Sequence, residues 1–333
     1  MPEPEKQPVS VVIPTWNGRE LLERFLPTVV RAMEVWPGGG EILVVDDGGT
    51  DDTPALLARK FPQVRLLRLE ENLGFAGAVN RGVAEAVHEV VILLNNDVGV
   101  EQNFIGPLVR WFTRRQDVFA VCARSLDWDG ATFRDGGKVG RWRRGFWRVW
   151  QNYDVDPRTR AEGTLLLSIY CPGGFTAVDR GRWLALGGLD ELFSPFNWED
   201  TDICYRALKR GWLVLYEPDS TVFHSPGTTI GGGAFRRSYV RFISRRNRLL
   251  FHWKNLTDRR MLAQHAGFLL LYLPQSLLRL DFASLAALVA AAVRIGPVRQ
   301  RRKKEQAEST VGDREIRDTF RRFLQRGNLE LKP

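Results

Sequence analysis

VVILLNND, residues 90–97, runs five apolar residues into two asparagines and an aspartate. An unbroken apolar run of that length is how a strand buried on both faces of a parallel sheet reads, and the polar triplet puts hydrogen-bonding side chains at its carboxyl end. Ligands of open α/β sheets bind at that edge. An aspartate held there can take one position on a hard divalent cation that bridges a phosphate-bearing substrate. For the tripeptide alone, an Asn-Asn-Asp turn that closes the strand is the plainer reading.

The same alternation surrounds it. SVVIP (10–14) is a β-branched run closed by Pro14, and Thr15, Trp16, Asn17 and Gly18 make a turn before a helical pattern over 19–33. EILVVDD (41–47) is a second buried strand ending in Asp46 and Asp47. A helix over 53–60, a strand over 64–70 and a helix over 75–87 lead into VVILLNND. Four strand-helix alternations with short connections predict an α/β fold, a doubly wound, mostly parallel sheet flanked by helices. Beyond it the pattern predicts a helix over 102–115, strands over 118–123 and 164–171, a short helix from Arg180, and strands at WLVLYEP (212–218) and STVFH, which carries His224.

Composition sets the outer limits. With 44% hydrophobic and 26% charged residues, the 333-residue chain has room for one large domain or two modest ones and no domain-scale disorder. A net charge of +9 calls for an anionic partner, whether nucleic acid, phospholipid or a phosphorylated substrate. Three scattered cysteines fit neither a disulfide framework nor a cysteine zinc site, which favours a reducing cytoplasm. The first ten residues lack the basic and apolar regions of a secretory signal, and no run of about 18 apolar residues predicts a spanning helix. GFLLLYLP and FASLAALVAAAV, separated by Arg279 and Asp281, read either as amphipathic helices lying on a membrane or as ordinary packed helices. The basic run from Arg299 to Lys304 either meets anionic headgroups or is solvated.

Several motifs bear chemistry. Asp46 and Asp47, at a strand end like that of Asp97, can accept from a pyrimidine imide or a ribose hydroxyl, or simply close the DDGG turn. In ENLGFAGAVNRG (71–82), Gly74 and Gly77 allow close approach of backbone to phosphate, and Arg81 lies one helical turn beyond Gly77. GRWRRGFWRVW, within 127–160, interleaves basic and aromatic residues that can stack on bases, sugars or lipid, or pack as an irregular hairpin. After Pro172, Gly173, Gly174 and the Gly187-Gly188 turn, Asn197-Trp198-Glu199-Asp200 precedes an amphipathic helix. Asp200 reads as its N-cap, a position that also suits a rigid, ionised general base. Asp202 and Arg206, four apart, share a face as a bracing ion pair. His224 is structural or a second cation ligand beside Asp97.

In register, these segments resemble the inverting family 2 glycosyltransferases of the GT-A fold, and among them the bacterial rhamnosyltransferase-like subgroup. The resemblance runs from about residue 9 to about residue 254 and rests on VSVVIPTWNG, VVDDGGTDDT, ENLGFAGAVNRG, LLNNDV, GGLDELFSPFNWEDTDICYR and FHSPGT. It implies a glycosyltransferase domain over 1–254, with a nucleotide-sugar half to about 123 and an acceptor half from about 124. A helical, basic extension over 255–333 follows, expected either to associate with the membrane or to pack as ordinary helices.

Carried onto this chain, the resemblance implies donor contacts from Pro14, Thr15, Asn17, Asp46, Asp47, Asn72, Gly77, Arg81 and Asn96. It implies Mg²⁺ or Mn²⁺ on Asp97 and His224, with Asp200 as catalytic base and Glu199 orienting the acceptor. Gly173, Gly174, Trp198, Asp202 and Arg206 would line the acceptor side. Asn95 stands where many relatives carry an acid, which lowers the negative charge offered to a metal. The expected partners are a nucleoside diphosphate sugar, first dTDP-rhamnose, and a saccharide or lipid-linked acceptor of the cell envelope. No nucleic acid is expected, and the expected location is the cytoplasm at the inner face of the membrane.

Other classes fit less well. A non-catalytic glycosyltransferase-like scaffold or saccharide-binding subunit predicts no nucleotide release from any donor. A nicotinamide oxidoreductase wants G-x-G-x-x-G after the first strand, and a sugar nucleotidyltransferase a basic glycine-rich loop there; SVVIPTWNG has neither. Nucleic-acid binding suits the charge but no reader motif is present.

Overall fold

The computed structural model describes residues 6–156, 163–224, 235–325 and 329–332. The end of the FHSPGT segment and the end of the 127–160 region lie outside the described residues.

The first half alternates as its sequence predicts: β1 (Val9–Thr15), α1 (Arg19–Val35), β2 (Gly40–Asp46), α2 (Thr53–Lys60), β3 (Arg65–Arg68), α3 (Gly74–Glu85) and β4 (Val90–Leu94). β1 pairs in parallel with β2 and β4, and β2 with β3. Alternate side chains of these strands enter two cores on opposite faces of the sheet. Val11, Ile13, Val44 and Ile92 meet Leu22, Leu26, Leu56 and Leu57 of α1 and α2 on one face. Val12, Leu43, Val45, Val91 and Leu93 meet Ala78, Val79 and Val83 of α3 on the other. Strands so enclosed have no polar face to display, which is why they read as continuous apolar runs.

The second half continues with β5 (Gly99–Val100), α4 (Ile105–Arg114), β6 (Val118–Leu126), β7 (Phe133–Asp135), β8 (Gly137–Arg143), β9 (Phe146–Asp154), β10 (Phe175–Asp179), α5 (Arg180–Leu186), α6 (Glu199–Lys209) and β11 (Leu213–Phe223). The large sheet runs β3-β2-β1-β4-β10-β6-β11-β5, with β7 beside β6. β10 lies antiparallel between β4 and β6, whereas β6 and β11 are parallel, so the sheet is mixed but mostly parallel.

Here the sequence reading needs corrections. The strand is FTAVD, after Pro172-Gly173-Gly174, and not TLLLSIYC before it, which meets β11 through an isolated bridge at Leu167 and the contact of the Cys171 thiol with the Leu215 carbonyl. The apolar residues of TLLLSIYC are buried as irregular chain: Leu166, Ile169 and Cys171 enter the core, while Ser168 donates its hydroxyl to the Tyr170 carbonyl. WLVLYEP and STVFH form one strand, β11, with a register shift between Glu217 and Thr221. The Trp-rich region is a hairpin of β8 and β9, with Trp147 buried against Tyr205.

α7 (Arg237–Asn255), α8 (Arg259–Leu278), α9 (Phe282–Ala292), α10 (Ile295–Glu308), α11 (Asp313–Gln325) and β12 (Glu330–Leu331) complete the chain. The helical extension expected from residue 255 thus begins at the last residue of α7, and it is not a free tail. Val298, Ile316 and Phe320 enter a third core with Trp147, Tyr205 and Leu250, and β12 pairs with β9. Within the basic run, Arg301 bonds Asp190 and Arg302 bonds the Trp253 carbonyl, while Arg299, Lys303 and Lys304 are exposed. Among the described residues no single helix is long and apolar enough to cross a membrane.

Candidate active site

The carboxyl ends of β1, β2 and β4 converge. Asn96 Nδ2 donates to Thr15 Oγ1 (2.8 Å), and Asp47 N donates to the Thr15 carbonyl (2.8 Å). A Cβ at Gly18 would overlap both the Asn96 amide and the Thr15 hydroxyl, so the turn after β1 closes this tightly only with glycine. Asn17, with φ 50°, accepts at Oδ1 from Thr50 N (2.7 Å) and Asp51 N (3.3 Å), which welds that turn to the loop after β2. Pro14 is buried within β1.

Asp46 is fully buried; its Oδ1 accepts from Gly49 N (2.9 Å), and Oδ2 has no hydrogen-bond donor among the described residues, Arg68 Nε standing 3.7 Å away. Asp47 Oδ1 accepts from Leu73 N (2.7 Å) at the start of α3, where a carboxylate complements the helix dipole. Burial nevertheless raises the Asp47 pKa above the usual range. Asn72 Oδ1 accepts from Gly74 N (3.0 Å), and Arg81 reaches Glu85 (3.7 Å) from an exposed position. Gly77 is not an approach point for phosphate: it is buried in α3, and a Cβ there would overlap Leu73.

Asp97 follows β4 and is buried, and His224 follows β11; His224 Nε2 stands 3.6 Å from Asp97 Oδ2. A carboxylate oxygen and an imidazole nitrogen that close can occupy neighbouring positions on one cation. No cluster of three or more His, Cys, Asp or Glu is arranged to hold a metal among the described residues. Asp97 and His224 are the two donors that the described residues bring together, a set that fits Mg²⁺ or Mn²⁺, cations that take their remaining ligands from phosphates and water. The Asn95-Asn96-Asp97 turn is braced by the glycine pair after Pro172. Asn95 N donates to the Gly174 carbonyl (2.9 Å), a Cβ at Gly174 would overlap the Asn95 amide, and Gly173 lies against Phe75.

The second carboxylate centre is the start of α6. Asp200 is not its N-cap: that position is Trp198, left-handed at φ 78°, and the helix begins at Glu199. Asn197 is also left-handed, at φ 69°. Two successive non-glycine residues in this region cost roughly 1–2 kcal/mol each, so the loop must be held from outside. The buried Asn247 on α7 does so, donating to the carbonyls of Phe193, Phe196 (2.9 Å) and Asn197 (2.9 Å).

Asp200 Oδ1 accepts from Thr201 N (2.6 Å). Burial pushes its pKa up to about 6, against the opposing pull of Thr201 N–H and of Lys138. Burial, and then the adjacent Asp200 carboxylate, pushes Glu199 up to about 8. Glu199 Oε2 is buried without a hydrogen-bond partner among the described residues. Lys138, buried at the start of β8, pairs with Asp135 and stands 5.4 Å from the centre of the Tyr170 ring; burial lowers its pKa to about 8.

A single segment, residues 170–174, touches both centres. Tyr170 is close enough to Asp200 for that carboxylate to help hold its hydroxyl protonated, Cys171 N donates to Cys204 Sγ of α6 (3.3 Å), and Gly174 touches Asn95. Four residues of chain span at most about 14 Å. One short segment thus runs from the Asp200 end of α6 to the Asp97 turn.

Asp202 and Arg206 form the expected ion pair (2.7 Å), but both are fully buried, and this corrects their assignment to the acceptor side. Asp202 also binds Lys254 (2.8 Å) and Asn255 (2.7 Å), while Arg206 donates to the Leu186 and Gly188 carbonyls (2.7 Å each). They brace α6. Trp198 remains at the cleft, packed on Phe251 (5.1 Å between ring centres). Four contributors were not singled out in the sequence: Lys138, Asn247, Asp313, and Asn80, whose amide exchanges two hydrogen bonds with the Leu189 backbone (2.9 and 2.8 Å) and ties α3 to the GGLDE loop. Asn80 alone had a visible signal, a polar residue on the inner face of an otherwise apolar helix pattern.

A sheet of this order, with acids at its carboxyl edge, is the framework of the GT-A glycosyltransferases. The structure of a Pyrobaculum calidifontis mannosyltransferase in complex with GDP-mannose and Mn²⁺ superposes with a TM-score of 0.54 at 18% identity, over 98% of this chain and 85% of that one. The sequence pattern of Glycosyl transferase family 2 matches residues 10–176, and the chain belongs to that family. It is 29% identical over 248 residues to the N-acetylglucosaminyl-diphospho-decaprenol L-rhamnosyltransferase of Mycobacterium tuberculosis, covering 67% of this chain and 78% of that protein. An uncharacterised glycosyltransferase of Mycobacterium bovis is 30% identical over 235 residues, 70% of this chain and 93% of its own length. The protein is a glycosyltransferase.

Proposed function

We propose that the enzyme transfers a sugar, with L-rhamnose from dTDP-rhamnose as first candidate, to a hydroxyl of a lipid-linked cell-envelope saccharide, with inversion. The work is done in the cytoplasm at the inner face of the membrane. The observation that carries this reading is the approach of His224 to Asp97, 3.6 Å at the sheet edge, with residues 170–174 leading from there to Asp200, whose pKa burial pushes up to about 6. The choice of rhamnose and of a lipid-linked acceptor draws on the similarity to the mycobacterial rhamnosyltransferase.

Asp46, Thr15 and the loop pinned by Asn17 seat the nucleoside, and the turn braced by Gly174 presents Asp97 to the diphosphate. Arg81 on α3 and Asn72 just before it would close over the nucleotide. A divalent cation on Asp97 and His224 would supply positive charge to the departing diphosphate. Asp200, ionised above about pH 6, accepts the proton of the acceptor hydroxyl as that oxygen attacks from the face opposite the leaving group. Glu199, still protonated at neutral pH, presents a hydrogen bond to the acceptor without adding a second negative charge. Trp198 and the Gly173 backbone would flank the acceptor ring.

The test is diphosphate release from a panel of nucleotide sugars, with and without Mn²⁺, for the wild type and for Asp200→Asn and Asp97→Asn. Asp200→Asn is expected to lose transfer by 10²-fold or more while still binding donor. Asp97→Asn is expected to lose the response to Mn²⁺. Unimpaired transfer by Asp200→Asn removes that residue from the mechanism.

A further inference from the structure

Exposed large apolar side chains concentrate at one place. Leu270, Leu271, Leu277 and Leu278 of α8, Leu280 in the turn, and Phe282, Val289 and Val293 on and after α9 are all more than half exposed, Leu278 to 87%. α9 packs against α7 with its small residues, Ser284, Ala287 and Ala291, and turns its larger ones outward. The helix is therefore not amphipathic in the usual sense, because its solvent side is apolar too. Isolated exposed leucines are ordinary, but a contiguous group of this size marks an interaction surface.

Charge indicates what covers it. Between Arg259 and Lys304 the chain carries nine arginines and lysines and a single acid, Asp281. That acid is engaged by Arg245 (2.8 Å) and by Ser284 Oγ (2.8 Å), so it offers little negative charge outward. An exposed apolar group on a segment with this cationic excess, Arg279, Arg299, Lys303 and Lys304 among its exposed members, matches the chemistry of an anionic bilayer, whose acyl chains take the leucines and whose headgroups take the cations.

Position relative to the cleft is the second observation. Phe196, in the loop that carries Trp198 and Asp200, touches Phe235 (5.0 Å); Phe235 stacks on Tyr239 (6.0 Å), and Tyr239 on Phe242 (6.4 Å). One turn further along α7, Arg245 bonds Asp281 in the α8–α9 turn. A continuous aromatic strip thus leads from the catalytic loop to the apolar projection.

We propose that the α8–α9 turn, with Leu277, Leu278, Leu280 and Phe282 at its tip, inserts into the anionic surface of a membrane. The aromatic strip along α7 then faces the lipid from which the acceptor is drawn. This rests on the preceding reading only for the acceptor; insertion itself is independent of it.

The experiment is cosedimentation of the full chain with acceptor-free vesicles of phosphatidylglycerol and phosphatidylcholine, and of phosphatidylcholine alone. The variant Leu277→Gln/Leu278→Gln/Phe282→Ser changes only exposed side chains. The wild type should bind phosphatidylglycerol vesicles at least tenfold more tightly than phosphatidylcholine vesicles, and the variant should lose at least tenfold on the former. Its nucleotide release from the sugar donor without vesicles should be unchanged, a readout that stands or falls with the glycosyltransferase mechanism alone. Equal vesicle binding by variant and wild type overturns the proposal. So does a wild-type dimer in solution that the variant converts to monomer, since the patch would then be an interface between copies.

Discussion

Glu199→Gln separates two carboxyls that sit side by side. Glu199 ordinarily titrates near 4.5 and is held at about 8 by burial and by Asp200. Because the folded chain holds this proton more tightly than the unfolded chain, folding takes up a proton between those limits. The contribution is undiminished below pH 4.5 and is lost as pH rises toward 8. Asp200 does the same between 3.8 and about 6, so from pH 6 to 8 Glu199 is the main member of the pair still titrating. Over that interval the wild type should lose about 2 kcal/mol that the glutamine variant, which has no proton to release, keeps. Urea unfolding of both proteins at pH 6, 7 and 8 measures this as a stability difference that widens with pH. The activity profile of the variant should keep its rise near pH 6, because glutamine mimics the protonated glutamate and leaves Asp200 beside a neutral neighbour. Stability curves that stay parallel from pH 6 to 8 would show Glu199 ionised in the folded state at neutral pH, and its role as a neutral hydrogen-bonding group would be refuted.

Two further substitutions probe the surroundings of the site. Lys138→Met removes a buried cation that favours ionised Asp200, so the rising limb of the pH–rate profile should move up by about one pH unit; an unmoved limb would make Lys138 merely structural. Asp313→Ala strips a fully buried carboxylate that accepts from Tyr205 (2.8 Å), Lys209 (3.2 Å), Thr257 N (2.6 Å) and Asp258 N (2.7 Å). Leaving Lys209 buried without it should cost about 3–5 kcal/mol in urea unfolding.

The parallel half was legible because its signals are local. Its inner strands are enclosed by two cores, each connection is short, and polar strand ends follow directly on apolar runs, as at Asp46 and Asp97. β10 was not legible for the opposite reason. FTAVD is short, and what makes it a strand is the gap between β4 and β6, two strands distant from it in sequence. TLLLSIYC has the stronger strand composition, yet its apolar side chains are buried with a single bridge to β11 in place of a ladder. Asp200 reads from the sequence as an N-cap, and that reading fails because the true cap, Trp198, adopts a left-handed conformation that its side chain disfavours and that Asn247, some fifty residues later, enforces. Lys138 and Asp313 carried no local sign of their importance, since a buried charge is identified by its distant partners.

The burial of Asp202 also explains the direction of Asp200. Successive residues of an α-helix are turned by about 100°, so two positions place Asp202 and Asp200 on nearly opposite sides of α6. Asp202 is fixed inward by Arg206, Lys254 and Asn255, and Lys254 is in turn held by Asp190 (2.7 Å). Any rotation of α6 that withdrew Asp200 from the cleft would strand at least one of these charges without a partner, at a cost of several kcal/mol. Farther along the helix, Tyr205 and Lys209 are locked to Asp313 from α11. The buried ion pairs therefore act without touching substrate: they set the rotation of the helix that carries Asp200, the residue proposed as base, and the C-terminal helices are part of that setting.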